Sequence, residues 1–242
     1  MGNIRMRVNV ASYMGGGIYW CGFHHLSETI YLKQFLQPNM VFMDIGANQG
    51  EFTLLAARHL TQGKVISFEP VSAYRALLEA NVALDQFTNV LVQPFGLSNE
   101  SLSLPIYTSL APVHQGSVHD GLSSLYATNE RSSLQEMIEL RILDELWDTW
   151  ELDRLDFIKI DIEGAELFAL KGGRKVLEKY RPDILIEVSE HTYNAGGYQV
   201  ADMLAFLLQM HYVAHRIVRG VAVVVATGDP MNAGDYLFRV PK

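Results

Sequence analysis

The sequence predicts an α/β fold whose mostly parallel sheet is covered by helices on both faces. Apolar runs of strand length alternate with longer segments of helical period, the signature of strand–helix–strand units. The runs are apolar throughout, as strands buried on both faces require. The 242 residues, 49% of them hydrophobic, can bury one large core. "MVFMDIG" (40–46) is the first strand and "TLLAARHL" (53–60) the helix behind it. "KVISFEP" (64–70) is the second strand, followed by the helix "SAYRALLEANVAL" (72–84) with Ser72 at its N-cap. "NVLVQPF" (89–95), "DFIKIDIEG" (156–164) and "DILIEVSE" (183–190) are the third, fourth and fifth strands. "VADMLAFLLQM" (200–210) is an amphipathic helix. The tail segments "YVAHRIV", "VAVVVAT" and "DYLFRV" are strand-like with short links, so antiparallel pairing is expected.

Residues 98–154 break the rhythm. "SLSLPIY" (101–107) and "MIELRIL" (137–143) read as strands, and the polar stretch 108–136 between them as a lid-like loop. With no repeat or linker, residues 1–242 are expected to form one domain, with 1–39 as a lead-in.

A formal net charge of −8 argues against a protein that must neutralise many phosphates, so no nucleic-acid partner is expected. The lone cysteine, Cys21, excludes an internal disulfide and fits a reducing compartment. No apolar run approaches the length of a membrane span, and no signal-peptide core is visible. The chain starts Met-Gly, but Met6 stands where the myristoylation pattern needs Ser or Thr. A cytoplasmic protein with no membrane partner is expected.

"FMDIGANQG" (42–50) joins a strand to a glycine-rich loop, an arrangement that holds nucleotide-like ligands against backbone N–H groups. A dinucleotide fingerprint would read G-x-G-x-x-G; here Asn48 stands between Gly46 and Gly50. Asp44, at the strand end, would repel a pyrophosphate and attract a ligand carrying an ammonium and a sulfonium. That describes S-adenosylmethionine (SAM). Glu69 ends the second strand, where a carboxylate can accept from both ribose hydroxyls. The bland alternative is a tight turn beside a surface acid. A Gly50→Leu change is expected to block close backbone approach to the ligand.

"MDIGANQGEFTLLAA", "VISFEP" and "RILDELWDTWELDRLDFIKIDIEGAELFALKGGRKVLEKYRPDILIEV" together resemble the FkbM-type SAM-dependent methyltransferases over about residues 26–190. The resemblance implies a class I (Rossmann-like) methyltransferase fold with a seven-stranded sheet ending in an antiparallel hairpin. It also implies O-methylation of sugars, polyketides or related small molecules. Asp44, Gly46, Asn48 and Gly50 match the family's cofactor loop, and Glu69 its ribose acid. Glu28 matches a family Glu expected to help hold the methionine end. Phe95, Gly96 and Leu97 follow the third strand, where class I enzymes line the adenine pocket. Ser123, Ser124 and Leu125 echo a family "SSL" with no assigned role.

Methyl transfer from a sulfonium is an in-line displacement that must also remove the hydroxyl proton. In "KIDIEGAE", Lys159, Asp161 and Glu163 share one face at the crevice end of the fourth strand. Asp161 is the first candidate for catalysis and for contact with the methionyl end, and Glu163 the second. Glu163 and Glu166 are equally readable as helix-capping acids. An aliphatic hydroxyl is a weak acid, so one ordinary carboxylate is a poor base unaided. Asp161 with Glu187 or Glu190 would offer oxygen ligands to Mg²⁺, although activity is expected to survive chelation. His191, after the fifth strand, is the best placed histidine base, ahead of His24 and His25.

The expected activity is therefore SAM-dependent O-methylation of a small hydroxylated acceptor held under the 108–136 loop. A nucleotide-dependent dehydrogenase and a SAM-binding protein without catalysis are the competing readings.

Overall fold

The computed structural model describes residues 4–108, 112–113, 117–118, 123–126, 133–226, 229 and 231–241. Two helices fill the lead-in, α1 (Tyr13–Cys21) and α2 (Leu26–Phe35). The first half of the sheet follows as β1 (Val41–Ile45), α3 (Glu51–His59), β2 (Lys64–Phe68), α4 (Ser72–Leu84) and β3 (Val90–Gln93). The insertion carries β4 (Gly96–Leu97), β5 (Leu102–Thr108), β6 (Pro112–Val113), β7 (Ser117–Val118) and β8 (Ser133–Arg141). A short α5 (Leu143–Leu146) and a 3₁₀ turn (Trp147–Trp150) lead to β9 (Phe157–Ile160), α6 (Glu166–Gly172), α7 (Arg174–Tyr180) and β10 (Asp183–Val188). The chain closes with α8 (Glu190–Ala195), α9 (Val200–Gln209), β11 (Val213–Val218), β12 (Val221–Val224) and β13 (Gly234–Arg239).

Among the described residues the main sheet has eight strands, in the order β12-β11-β13-β10-β9-β1-β2-β3. Side chains alternate between its faces as the two-residue period demands. Met43, Ile66, Ile158 and Ile186 enter the core cluster that also holds residues of α6, α7 and α9. Phe42, Val65, Phe157 and Leu185 enter the one built with α2 and α3. Strand order runs outward from β1 through β2 and from β9 through β10, so the winding reverses between β1 and β9. An open α/β sheet forms its ligand crevice at that point, beyond the carboxyl ends of the strands.

Two expectations are corrected. The sheet has eight strands, and its tail is more than a terminal hairpin. β13 runs antiparallel between β10 and β11, which leaves β11 parallel to β1, β2, β3, β9 and β10. β12 is the added edge, folded back on β11 through Arg219 and Gly220. Both turn residues have positive φ, as a tight hairpin turn demands. Short links between segments do not reveal that one of them inserts between two others. The N-cap of α4 is Val71 rather than Ser72. The Ser72 N–H and hydroxyl both donate to Glu136 of β8, so the insertion supplies the acid at this helix start.

The insertion folds as a second sheet, β4-β8-β5, with β5 and β8 antiparallel. Its inner face joins Ile106, Ile138 and Leu140 to Val71, with Tyr74 and Leu125 packed against them. Most of the 108–136 loop lies outside the described residues. Among the described residues no helix is long and apolar enough to cross a membrane.

Candidate active site

At the winding reversal, Asp44, the penultimate residue of β1, is almost wholly enclosed, at 1% exposure. Its Oδ2 accepts from the Thr53 hydroxyl at 2.6 Å, and Thr53 in turn lies 2.7 Å from the Ser67 hydroxyl. Its Oδ1 has no hydrogen-bond partner among the described residues. Burial pushes this carboxyl up, against the opposing charge of Lys159 and the Thr53 hydrogen bond. The loop that follows bends through three left-handed residues, Gly46 (φ +84°), Asn48 (φ +48°) and Gly50 (φ +100°). A Cβ on Gly46 would lie 2.0 Å from the Asp161 carbonyl oxygen, so glycine lets β1 and β9 close on each other here. A Cβ on Gly50 would meet Leu78 Cδ1 at 2.7 Å. Glycine at position 50 thus also lets α3 pack against α4, and Gly50 lines neither of the two cavities described below. Asn48 tolerates the left-handed region better than other side-chain-bearing residues.

Glu69 is 5% exposed at the end of the second strand segment. One carboxylate oxygen accepts the Asn48 N–H (2.8 Å) and the other the Val71 N–H (2.9 Å). Burial still pushes its pKa up to about 7. Glu69, Gly46 and Asn48 line a cleft of about 650 Å³. Gly96 and Leu97 line it too, whereas Phe95 does not. Phe95 lies in the bend between β3 and β4 and packs into the core against Phe68, with the Arg141 guanidinium over its ring. The far wall comes from the insertion: Ile106, Ser123, Leu125, Ile138 and Leu140.

Asp161, Ile162 and Glu163 close the other end of this cleft. Behind Gly46 and Asn48 a smaller cavity, about 410 Å³, is lined by Asp44, Asp161, Lys159, Glu51 and His25. Lys159 Nζ sits 2.9 Å from Asp161 Oδ2. Burial alone would lower this lysine, yet the charges of Asp161 and Asp44 hold it above its ordinary value. In return Asp161, which burial would raise, is held low by Lys159. Asp161, Glu163 and Glu187 place carboxylate oxygens within 4.8 Å of one another. The Asp161 charge, with burial, pushes Glu187 up to about 9. The Asp161–Glu187 pair therefore favours a shared proton over two charged carboxylates.

The remaining candidates sort by position. Glu166, not Glu163, is the acid of the α6 start: it accepts from the Ile162 and Gly164 N–H groups and from the Tyr198 hydroxyl. Glu163 is left-handed (φ +55°) and lines the cleft. His191 and Glu190 are exposed on α8 and line neither cavity, and Glu190 is outside the carboxylate group. The helical turn that follows β10 carries both away from the crevice. His25 lies 3.7 Å from Glu51, whose carboxylate also accepts the His24 N–H. Glu28 is half-buried near His25, Glu51 and Asp235 but lines neither cavity. Sequence reasoning assigned no role to Lys159, Glu51 or Asp235. A lysine inside the apolar run "FIKI" was the available signal, since a buried lysine needs an acid partner.

The profile of the FkbM methyltransferase domain matches residues 44–214, from the end of β1 into β11. The chain belongs to the FkbM methyltransferase family. Methyltransferase sdnD of Sordaria araneosa is 31% identical across 57% of this chain and 61% of its own. Methyltransferase 1 of Beauveria bassiana is 31% identical across 54% of this chain and 57% of its own. The chain thus spans about 60% of the length of these curated relatives. The crystal structure of methyltransferase FkbM from Methylobacillus flagellatus superposes over 91% of this chain and 49% of that one, with TM-score 0.57 at 19% identity. The fold is the class I, Rossmann-like methyltransferase fold. Glu28 lies before the matched span.

Proposed function

We propose that this FkbM-family chain is a SAM-dependent O-methyltransferase acting on a neutral or mildly polar hydroxylated small molecule, such as a sugar unit or a polyketide-like metabolite. The observation that carries the reading is a pair of buried carboxylates at the winding reversal. Glu69 lines a largely apolar cleft, and Asp44, one loop away, keeps an oxygen with no hydrogen-bond partner among the described residues. An adenosine with a cationic tail satisfies both, whereas a dinucleotide would set its pyrophosphate against Asp44. Glu69 and the Gly46–Asn48 backbone would hold the ribose, Leu97 and Leu140 the base, and Asp44 with Asp161 the ammonium. When bound, SAM supplies the methyl group and a neutral thioether leaving group.

The chain's own part is alignment and proton handling. Lys159 keeps Asp161 ionised, so that Asp161 can accept a hydrogen bond from the acceptor hydroxyl and orient it, while its lowered basicity leaves the proton to solvent or to a neighbouring group. Glu187, pushed up by the Asp161 charge, and Glu163 stand in the same carboxylate group. A net charge of −8 opposes polyanionic acceptors at long range. The test is transfer from methyl-labelled SAM to a panel of sugars and hydroxylated metabolites. Label should enter an ether, with one S-adenosylhomocysteine (SAH) formed per methyl and no loss on adding EDTA. Binding of SAM without SAH formation on any acceptor would favour a non-catalytic SAM protein. Loss on chelation with recovery on Mg²⁺ would turn Asp161, Glu163 and Glu187 into metal ligands.

A further inference from the structure

The Ser123–Leu125 segment emerged from the sequence with no role, and the structure puts it where two parts of the site meet. Ser124 is 2% exposed. Its backbone pairs with Tyr107 in both directions, N–H to O at 2.9 Å and O to N–H at 2.8 Å, which fastens it to β5 of the insertion. Its hydroxyl leaves the insertion and donates to the Glu163 carbonyl oxygen at 2.8 Å. Ser123 and Leu125, on either side, line the same cleft as Glu69. Ser123 is itself braced by Gln135 of β8 at 2.8 Å, and Leu125 packs on the cluster of Ile106, Ile138 and Leu140.

The partner of Ser124 is not an ordinary residue. Glu163 holds a left-handed backbone without being glycine, a conformation that persists only where its surroundings enforce it. Gly164 follows at φ +107°, and a Cβ there would lie 2.4 Å from the Thr192 carbonyl oxygen and 3.4 Å from the Tyr126 ring. The loop bearing Asp161 and Glu163 is thus caught between α8 on one side and Ser124 with Tyr126 on the other.

We infer that Ser123–Leu125 is a cofactor clamp. Ser123 and Leu125 contact the adenosine moiety, and Ser124 is a positioning residue that ties this contact to the backbone of Glu163. The inference rests on the SAM reading above and adds a coupling to it. Filling the adenosine slot stiffens the insertion, and the Ser124 hydroxyl passes that order to the acid loop. The described part of the insertion is in this view a wall of the cofactor site, rather than a cover for the acceptor alone.

Hydrogen–deuterium exchange on the full chain, with and without SAH, tests the coupling, and calorimetry with SAH gives the affinities. In the wild type, SAH should protect the 46–50 loop, the paired amides of Tyr107 and Ser124, and the Gly164 amide. Ser124→Ala should still protect 46–50 but lose the added protection at Tyr107 and Gly164, and Ser124→Thr, which keeps the hydroxyl, should restore it. Leu125→Ala, on a half-buried side chain that folding can spare, should weaken SAH roughly tenfold through lost apolar contact. A purely structural Ser124 would lower protection equally with and without SAH, and that outcome overturns the clamp. So does wild-type affinity in both Ser124→Ala and Leu125→Ala. If SAH neither binds the wild type nor protects 46–50, the cofactor reading itself falls and takes the clamp with it.

Discussion

Around the Glu69 half of the cleft, proposed above for adenosine, contacts come from main chain and aliphatic walls: two backbone N–H groups on Glu69, the left-handed Gly46–Asn48 turn, and Leu97 and Leu140. Around the acid half they come from side chains whose charges hold one another: Lys159 on Asp161, Asp161 on Glu187, Glu51 on His25. The first half is organised by the fold before any ligand arrives, because its donors are anchored in strands and turns. The second is organised by electrostatics, so removing one member leaves another buried charge uncompensated. Substitutions should therefore act on affinity in the first half, and on stability and proton balance in the second.

Lys159→Met should have the largest effect, because it strands Asp161 and Asp44 as buried acids without their cation. Urea unfolding at pH 7 is expected to show a loss of about 3–5 kcal/mol. The double variant Lys159→Met/Asp161→Asn should recover part of it. A loss below about 1 kcal/mol would mean the acid half does not depend on its lysine.

Glu69→Ala comes next and acts on binding. SAM affinity should drop by about 1.5–3 kcal/mol, as for a hydrogen bond to a charged group. Turnover at saturating SAM should change little, since ribose contacts are equally strong in ground and transition states. Because the Glu69 carboxyl titrates near about 7, it gains a proton as pH falls through that value and accepts more weakly. Wild-type affinity should therefore fall below pH about 7, and Glu69→Gln should flatten the profile. A large turnover loss at unchanged affinity would move Glu69 into the acid half.

The smallest effect is expected from Glu187→Gln. A carboxyl raised from 4.5 to about 9 on folding contributes stability that is fully present below its unfolded pKa and is lost as pH rises towards 9. The denaturation temperature of the wild type should thus decline between pH about 5 and 9, and that of Glu187→Gln should decline less. Scanning calorimetry would show equal slopes if Asp161 and Glu187 did not share a proton.

The five parallel strands β1, β2, β3, β9 and β10 and the helices α3, α4 and α9 were legible because apolar strand-length runs and the 3.6-residue period are local properties. So were Asp44, Gly46, Asn48, Glu69, Asp161 and Glu163, each at or just past the end of a readable strand. Three things were not. The insertion of β13 between β10 and β11 depends on pairing across distant segments, which no local pattern encodes. The exits of β3 and β10 turn by single residues, and that sends Phe95 into the core and His191 into solvent. The ties of Ser124 to Glu163 and of Ser72 to Glu136 join residues 39 and 64 positions apart, visible only once the second sheet has formed.

Calorimetric titration of the wild-type chain with SAM, SAH and NADH, run side by side, tests most directly whether the cleft is a SAM site. SAM and SAH should both bind, Asp44→Asn should weaken SAM, and NADH should give no saturable heat. Saturable binding of NADH with none of SAM would contradict the SAM assignment of the Glu69 cleft and return the chain to the nucleotide-binding alternatives.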